Sequence, residues 1–179
     1  MLRRTRTLLI AAVTVAVAVI TPVAVATAAP APYCGITWGS TVKTHGATTM
    51  PQLTNVRAGR HDCYDRLVLD VRGNATGYRA SYVTTVTEDA SGRVVPLRGG
   101  ARLQITVTAP AYDLAGRPTY RYANRAELVN VAGYRTFRQV AWAGSFEGTT
   151  TVGLGVRARL PFRVFTLPDR LVIDVAHAW

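Results

Sequence analysis

A seven-residue motif occurs twice in this chain, and it constrains the fold more than any other feature of the sequence. Residues 65–71 read DRLVLDV and residues 169–175 read DRLVIDV, so six of the seven positions are identical. Apolar and polar residues alternate in both copies, which is the pattern of a β-strand with one buried face. The two copies predict two matched strands in two similar sheets packed face to face. The alternative is that an aspartate–arginine pair followed by apolar residues is a common way to begin a strand.

Other short segments show similar alternation. Residues 102–108 alternate between polar and apolar side chains, and residues 149–157 do so with Gly153 and Gly155 between the apolar positions. These glycines leave one face bare, so another backbone or a ligand could approach it closely. Helical periodicity is hard to find, and only residues 124–131 could form a turn or two of helix. The sequence therefore predicts an all-β protein, a β-sandwich of two similar antiparallel sheets preceded by an irregular N-terminal segment.

The N-terminus has the layout of a secretory signal peptide. A short basic stretch precedes an almost entirely apolar run over residues 8–25, and small residues surround a cleavage position after Ala28 or Ala29. This layout predicts a signal peptide over residues 1–28, an irregular segment over 29–62 and a sandwich domain over 63–179. The cleaved chain would be secreted or associated with the cell wall, without a stable membrane span. The alternative is an uncleaved anchor, because the run approaches the ~20 residues that span a bilayer.

Both cysteines lie in the exported part of the chain. In an oxidising compartment Cys34 and Cys63 predict one disulfide. The alternative is a metal or thiol site that uses His61 together with Cys63, but no further ligand accompanies them at a suitable spacing. The sequence predicts neither a metal site nor a cofactor.

Positive charge is the main clue to a ligand. The formal net charge is +11, and removal of the three arginines of the leader lowers it to +8. This balance suits anionic partners, although scattered solubilising arginines would give the same charge. Strand alternation predicts Arg157 and Arg159 on one face, and these two residues with Arg163 are candidates for binding carboxylate or phosphate. Trp142 is a candidate for stacking on a sugar ring, with a place in the core as the alternative. No aromatic-plus-basic pattern predicts nucleic-acid binding.

The chain contains no recognisable catalytic constellation. Its three histidines lack metal-ligand spacing, and its serines lack the G-x-S-x-G elbow of a nucleophile. Asp70 and Asp174 occupy equivalent positions in the two motif copies and could form a carboxylate pair, which glycoside hydrolysis requires at a separation of ~5–9 Å. The favoured alternative is that each carboxylate accepts hydrogen bonds from an arginine or a backbone amide. The sequence thus predicts a protein that is not an enzyme.

Several longer segments carry a family resemblance. Residues 160–175, which close with the second motif copy, are similar to the closing strands of AMIN domains. Residues 59–66 and 130–140 resemble the AMIN-like domains of actinobacterial exported proteins, as do residues 146–156, and the resemblance covers the chain from Cys34 to Trp179. It implies a β-sandwich module that binds the cell envelope without catalysis, with peptidoglycan or another anionic wall polymer as partner. Those relatives usually address an attached enzyme or pore, whereas we expect this chain to act without one. The alternative function is a secreted partner module, an inhibitor or assembly subunit of an exported wall enzyme.

Overall fold

The computed structural model describes residues 32–74 and 77–179, so the predicted signal peptide lies outside the described residues. Tyr33–Gly35 form one turn of 3-10 helix. The strands within the described ranges are β1 (Lys43–His45), β2 (Gln52–Arg60), β3 (Tyr64–Arg72), β4 (Tyr78–Val83), β5 (Val86–Thr87), β6 (Val94–Val95), β7 (Ala101–Val107), β8 (Phe137–Phe146), β9 (Thr149–Val156), β10 (Phe162–Leu167) and β11 (Arg170–Ala176). None of the described helices is long and apolar enough to cross a membrane.

The strands form two packed antiparallel sheets and a small hairpin. One sheet has four strands in the order β10-β11-β3-β2, the other has five in the order β1-β4-β7-β9-β8, and β5 pairs with β6. The prediction of an all-β sandwich is confirmed. Because all neighbours are antiparallel, each sheet can bury one face and leave the other for solvent or for another segment.

One core lies between the inner faces of the two sheets. Leu67 and Ile173 from the four-stranded sheet belong to the same buried cluster as Ile105 and Leu154 from the five-stranded sheet. All four side chains are completely inaccessible to solvent. Burial of each stabilises the fold by about 1.5–3 kcal/mol. The inner faces are therefore occupied by packing, and ligand contacts have to use outer faces, edges or loops.

The two motif copies lie side by side in one sheet, and the prediction that they belong to two facing sheets is wrong. In the pairing of β3 with β11, Arg66 stands opposite Asp174, Asp70 opposite Arg170 and Val68 opposite Val172. The motif is self-complementary when two copies run antiparallel, because its arginine then faces the aspartate of the other copy. A local two-fold axis therefore passes between Val68 and Val172, at the centre of the four-stranded sheet, and relates the two motif copies.

The segment predicted to be irregular contains a full strand. Gln52–Arg60 form β2, which pairs along β3, so the ordered sheet begins well before residue 63. A bulge between Leu53 and Asn55 shifts the register of this strand. The bulge interrupts the two-residue period of its side chains, and this hides the strand from a search for strict alternation.

A long irregular loop joins β7 to β8 over residues 108–136. The segment over 124–131, for which a helical turn was an alternative, is not helical. The Asn124 side-chain oxygen accepts a hydrogen bond from the Ala126 amide, which holds a tight turn there instead. Further along, the Leu128 amide donates to the Val140 carbonyl of β8, so this loop lies along the edge of the five-stranded sheet.

Candidate functional site

Two of the three predicted ligand-binding arginines lie in a loop. The strand β9 ends at Val156, so the prediction that Arg157 and Arg159 share a strand face is wrong. Arg157 donates a hydrogen bond to the carbonyl of His177. The guanidinium of Arg159 lies 4.9 Å from the centre of the Tyr82 ring. Both groups are thus turned back onto the protein, and a binding role for them remains a prediction.

The third predicted arginine, Arg163, belongs to a built cluster on the outer face of the four-stranded sheet. It stands opposite Asp174, and its Nε donates to the carboxylate at 2.8 Å. Arg66 approaches the same carboxylate from β3, with Nε 2.7 Å from Oδ1 and Nη2 2.9 Å from Oδ2. The Asp174 side chain is completely buried, whereas those of Arg66 and Arg163 remain 23% and 31% exposed. One buried carboxylate therefore fixes two guanidinium groups that still reach solvent.

Three aromatic rings surround these guanidinium groups. The Arg163 guanidinium lies 5.0 Å from the centre of the Phe165 ring, 5.4 Å from that of Tyr64 and 5.5 Å from that of Trp38. The Arg66 guanidinium lies 5.2 Å from Tyr64 and 5.6 Å from Phe165. Contacts of this length are attractive cation–π interactions. We call the surface formed by Trp38, Tyr64, Arg66, Arg163 and Phe165 the arginine–aromatic face.

The charge of the arginine–aromatic face is positive. Two guanidinium groups share one carboxylate, so the cluster with Asp174 carries a net charge of +1. The hydrogen bonds that Arg66 donates to Asp174 raise the pKa of its guanidinium above the ordinary value, so this group is always charged. Within the described part of the chain, the Nη1 atoms of Arg66 and Arg163 have no hydrogen-bond partner. They are available to donate to an oxyanion on a ligand.

The second carboxylate of the repeated motif is engaged differently. Asp70 accepts hydrogen bonds from Arg57 at 2.8 Å and from Asn55 at 3.2 Å, both on β2. Asp174 stands opposite Arg66, which is four residues from Asp70 along β3. The two carboxylate positions are therefore about 13 Å apart along the strand direction. This exceeds the separation of carboxylate pairs that hydrolyse glycosides. Each carboxylate binds arginine, as the favoured alternative holds.

The outer face of β8 and β9 in the five-stranded sheet is covered by the chain itself. A Cβ atom at Gly155 would lie 2.0 Å from the carbonyl oxygen of Arg98, and one at Gly153 would lie 2.8 Å from Leu97. Val86 of the β5–β6 hairpin packs against the same strand and forms a second small buried cluster with Leu97 and its neighbours. Of the two alternatives for this bare glycine face, close approach of another backbone is the one observed.

A buried histidine–aspartate pair lies near the C-terminus. Asp65 is completely buried, and one of its oxygens accepts the backbone amides of Thr136 and Phe137. His177 Nε2 lies 3.2 Å from the other oxygen, while Nδ1 lies 3.1 Å from the carbonyl oxygen of Asp62. Both ring nitrogens are engaged, so the imidazole is not free to act as a base towards a nucleophile. The described residues contain no group of three or more potential metal-ligating side chains.

The predicted disulfide is present, and Trp142 lies in the core. Cys34 and Cys63 form the predicted disulfide, which excludes Cys63 from a thiol or metal site. Trp142 is only 8% exposed and belongs to the main core cluster, beside Tyr120 and Tyr122. Its side chain thus takes the alternative placement in the core.

Sequence reasoning missed most of the arginine–aromatic face. Arg66 had a detectable signal, because it lies in the repeated motif on the side opposite Leu67. Trp38 had none, since it precedes the first long strand. It reaches the face because Gly39 forms a bridge to Phe162 of β10 and because the nearby disulfide ties this segment to residue 63.

A family model described as AMIN-like domain matches residues 51–177. No curated protein and no solved structure matches the chain. The match spans every strand of the four-stranded sheet, with only Pro51 preceding β2. It leaves Trp38 and the first cysteine outside.

Proposed function

Because the chain belongs to the AMIN-like domain family, whose members are extracytoplasmic envelope modules, we propose that it binds an anionic cell-wall polymer without catalysing a reaction. The binding surface in this proposal is the arginine–aromatic face. Peptidoglycan is the principal candidate ligand, through the carboxylates of its peptides, and phosphate-rich wall polymers present the same oxyanion chemistry.

The observation that carries the proposal is the position of Arg66 and Arg163. Both guanidinium groups are oriented by the buried Asp174 before any ligand arrives, so little conformational entropy is lost when they bind. Their unpartnered Nη1 atoms supply donors for an oxyanion, and the rings of Trp38, Tyr64 and Phe165 supply flat apolar surface beside them. An acidic glycan offers both kinds of group within one repeat. Because the repeats of such a polymer each offer the same weak contact, binding to this face does not require a deep pocket.

The remaining envelope predictions support the same proposal. Residues 1–28 act as a signal peptide in this account, which places the chain where the Cys34–Cys63 disulfide is stable. Mass spectrometry of the protein recovered from culture medium tests this directly. A mature N-terminus at residue 29 or 30 is expected, and an intact leader in the membrane fraction would contradict it.

The test of binding is co-sedimentation with purified peptidoglycan, prepared with and without its attached anionic polymers. The wild-type chain is expected to sediment at 50 mM salt and to be released at 500 mM, because the contacts are charged. Arg163→Gln removes one exposed guanidinium while Arg66 still neutralises Asp174, and we expect a loss of about tenfold in affinity. The matched control is Arg79→Gln on the outer side of β4, which removes the same charge elsewhere.

Two results would refute the proposal. One is failure of the wild-type chain to sediment with either preparation at low salt. The other is equal loss of binding in Arg163→Gln and Arg79→Gln, which would mean that net charge alone attracts the polymer. Because Arg163→Gln alters a structural contact as well, Phe165→Ala serves as a second variant that weakens stacking and leaves all charges in place.

A further inference from the structure

A cleft with aromatic walls lies on a different part of the molecule, between the loop over residues 108–136 and strand β8. Its volume is about 450 Å³, and it is lined by Tyr112, Tyr120, Tyr122 and Trp142 together with Arg121 and Ser145. Cavities of this size fall in the range of small-molecule sites. None of the residues of the arginine–aromatic face lines it.

The aromatic walls of this cleft are held in place by the core. Tyr120 and Trp142 are 9% and 8% exposed, and their ring centres are 5.8 Å apart. Tyr122 packs against Trp142 at 5.1 Å but is 39% exposed, so it forms the outer wall. Two fixed rings and one accessible ring thus present a preformed apolar surface to a ligand in the cleft.

Polar groups at the same surface lack protein partners. Within the part of the chain that the structure describes, no hydrogen bond involves the hydroxyl group of Tyr120 or of Tyr122. Burial raises the pKa of Tyr120, so its hydroxyl is protonated and can donate as well as accept. The exposed Arg121 stands between these two tyrosines in the sequence and lines the cleft with them. A purely apolar ligand would leave both hydroxyl groups without hydrogen bonds.

From this combination we infer that the cleft binds a pyranose ring of an uncharged polysaccharide. The axial C–H bonds of a pyranose form an apolar face that packs on aromatic rings, and its equatorial hydroxyl groups surround that face. Such a ring satisfies the rings of Tyr122 and Trp142 and the two tyrosine hydroxyl groups at once. The inference does not depend on the proposed binding of an anionic polymer, because it concerns another surface and a ligand without charge.

The test is a titration of the purified exported chain with two neutral probes, tetra-N-acetylchitotetraose and cellotetraose. Binding of at least one probe is expected, with a change in the intrinsic tryptophan fluorescence and no dependence on salt between 50 and 500 mM. Tyr122→Ala removes the outer wall and should weaken binding about tenfold, while Tyr122→Phe keeps the ring and should weaken it only a few-fold. Near-ultraviolet circular dichroism checks that each variant is folded.

Matched controls separate this site from the one proposed above. Arg163→Gln should leave the affinity for the neutral probe unchanged, and Tyr122→Ala should leave the salt-sensitive sedimentation with peptidoglycan in place. The absence of a response to both probes overturns the inference. So does a folded Tyr122→Ala variant that binds as tightly as the wild type.

Discussion

The outer faces of the two sheets differ in what covers them. The five-stranded sheet presents Gly153 and Gly155, and the chain packs its own hairpin and the Arg98 backbone onto them. The four-stranded sheet presents arginines, aromatic rings and a buried carboxylate, which form the arginine–aromatic face. Small residues permit one segment of the chain to lie against another, whereas paired charges keep a sheet face ordered and accessible to solvent. The two outer faces therefore differ in what they expose, although both sheets contribute to one core.

The largest expected effect on stability is at Gly155, on the covered outer face of β8 and β9. Gly155→Val places side-chain atoms where the Arg98 carbonyl already lies, at a distance of 2.0 Å from the first added carbon, and backbone cannot easily move. We expect the free energy of unfolding to fall by about 3 kcal/mol or more in chemical denaturation. A milder substitution for comparison is Gly153→Ala, whose Cβ meets only side-chain atoms, of Leu97 at 2.8 Å and of Val86 at 3.2 Å, and should cost about 1 kcal/mol. Equal, small losses in both variants would show that the segment at residue 98 does not press on the sheet.

On the outer face of the four-stranded sheet, substitution of the two aspartates of the repeated motif should change the free energy of unfolding by unequal amounts. Asp174→Asn replaces a fully buried carboxylate that neutralises two arginines, and it should lower the free energy of unfolding by about 2–3 kcal/mol. Asp70→Asn disrupts a pair with Arg57, which is 48% exposed, and should cost less than about 1 kcal/mol. Denaturant titration of both variants measures the difference. If Asp70→Asn is the more damaging substitution, the proposed anchor has been assigned to the wrong copy of the motif.

The interior shared by both sheets provides a prediction about pH. Burial raises the pKa of Tyr82 to about 12, and its hydroxyl donates to the Leu160 carbonyl at 2.6 Å. The unfolded chain loses this proton near pH 10, so the contribution of Tyr82 is complete below that pH and is lost as the pH rises towards 12. Between pH 10 and 12 the wild type should therefore lose about 2 kcal/mol more than Tyr82→Phe. Parallel alkaline titrations of the two proteins would exclude this account if they gave the same slope.

The smallest expected effect on stability is at Asp89, beside the covered outer face of β8 and β9. Burial raises the pKa of Asp89, and within the described residues its Oδ2 atom is buried without a hydrogen-bond partner. The ionised carboxylate is therefore unfavourable in the folded state. Asp89→Asn should stabilise the protein by about 1 kcal/mol at pH 7, since the residue is only half-buried. Below the pH at which Asp89 binds a proton the advantage should disappear, so an advantage that persists at low pH would contradict the assigned cause.

The contrast between the two faces also explains which features the sequence could predict. Regular alternation in the repeated motif and in residues 102–108 was sufficient for the all-β sandwich, because the period of two reports burial directly. The pairing of the two motif copies was mispredicted, since alternation shows that a strand has a buried face but not which neighbour it pairs with. Arg157 and Arg159 were misplaced for a similar reason. Alternation continues past Val156 in the sequence, whereas the hydrogen-bonded strand ends there.

The arginine–aromatic face was only partly within reach of sequence reasoning. Arg163 was identified from its residue type, and Arg66 stood in the motif without being assigned a role. Trp38 and Tyr64 reach the same surface through tertiary contacts, which depend on the disulfide and on the bridge between Gly39 and Phe162. Such contacts join residues far apart in the chain, and no local pattern in one sequence reports them.

The central claim is that the chain binds its ligand on the arginine–aromatic face and not on the covered outer face of β8 and β9. Amide chemical-shift mapping of the isotope-labelled exported chain, titrated with soluble fragments from digested peptidoglycan, tests it most directly. The account predicts concentrated shifts at Tyr64–Arg72, Phe162–Leu167 and Arg170–Ala176, with the β5–β6 hairpin unchanged. Shifts confined to that hairpin and to β9, or none at all, would contradict it.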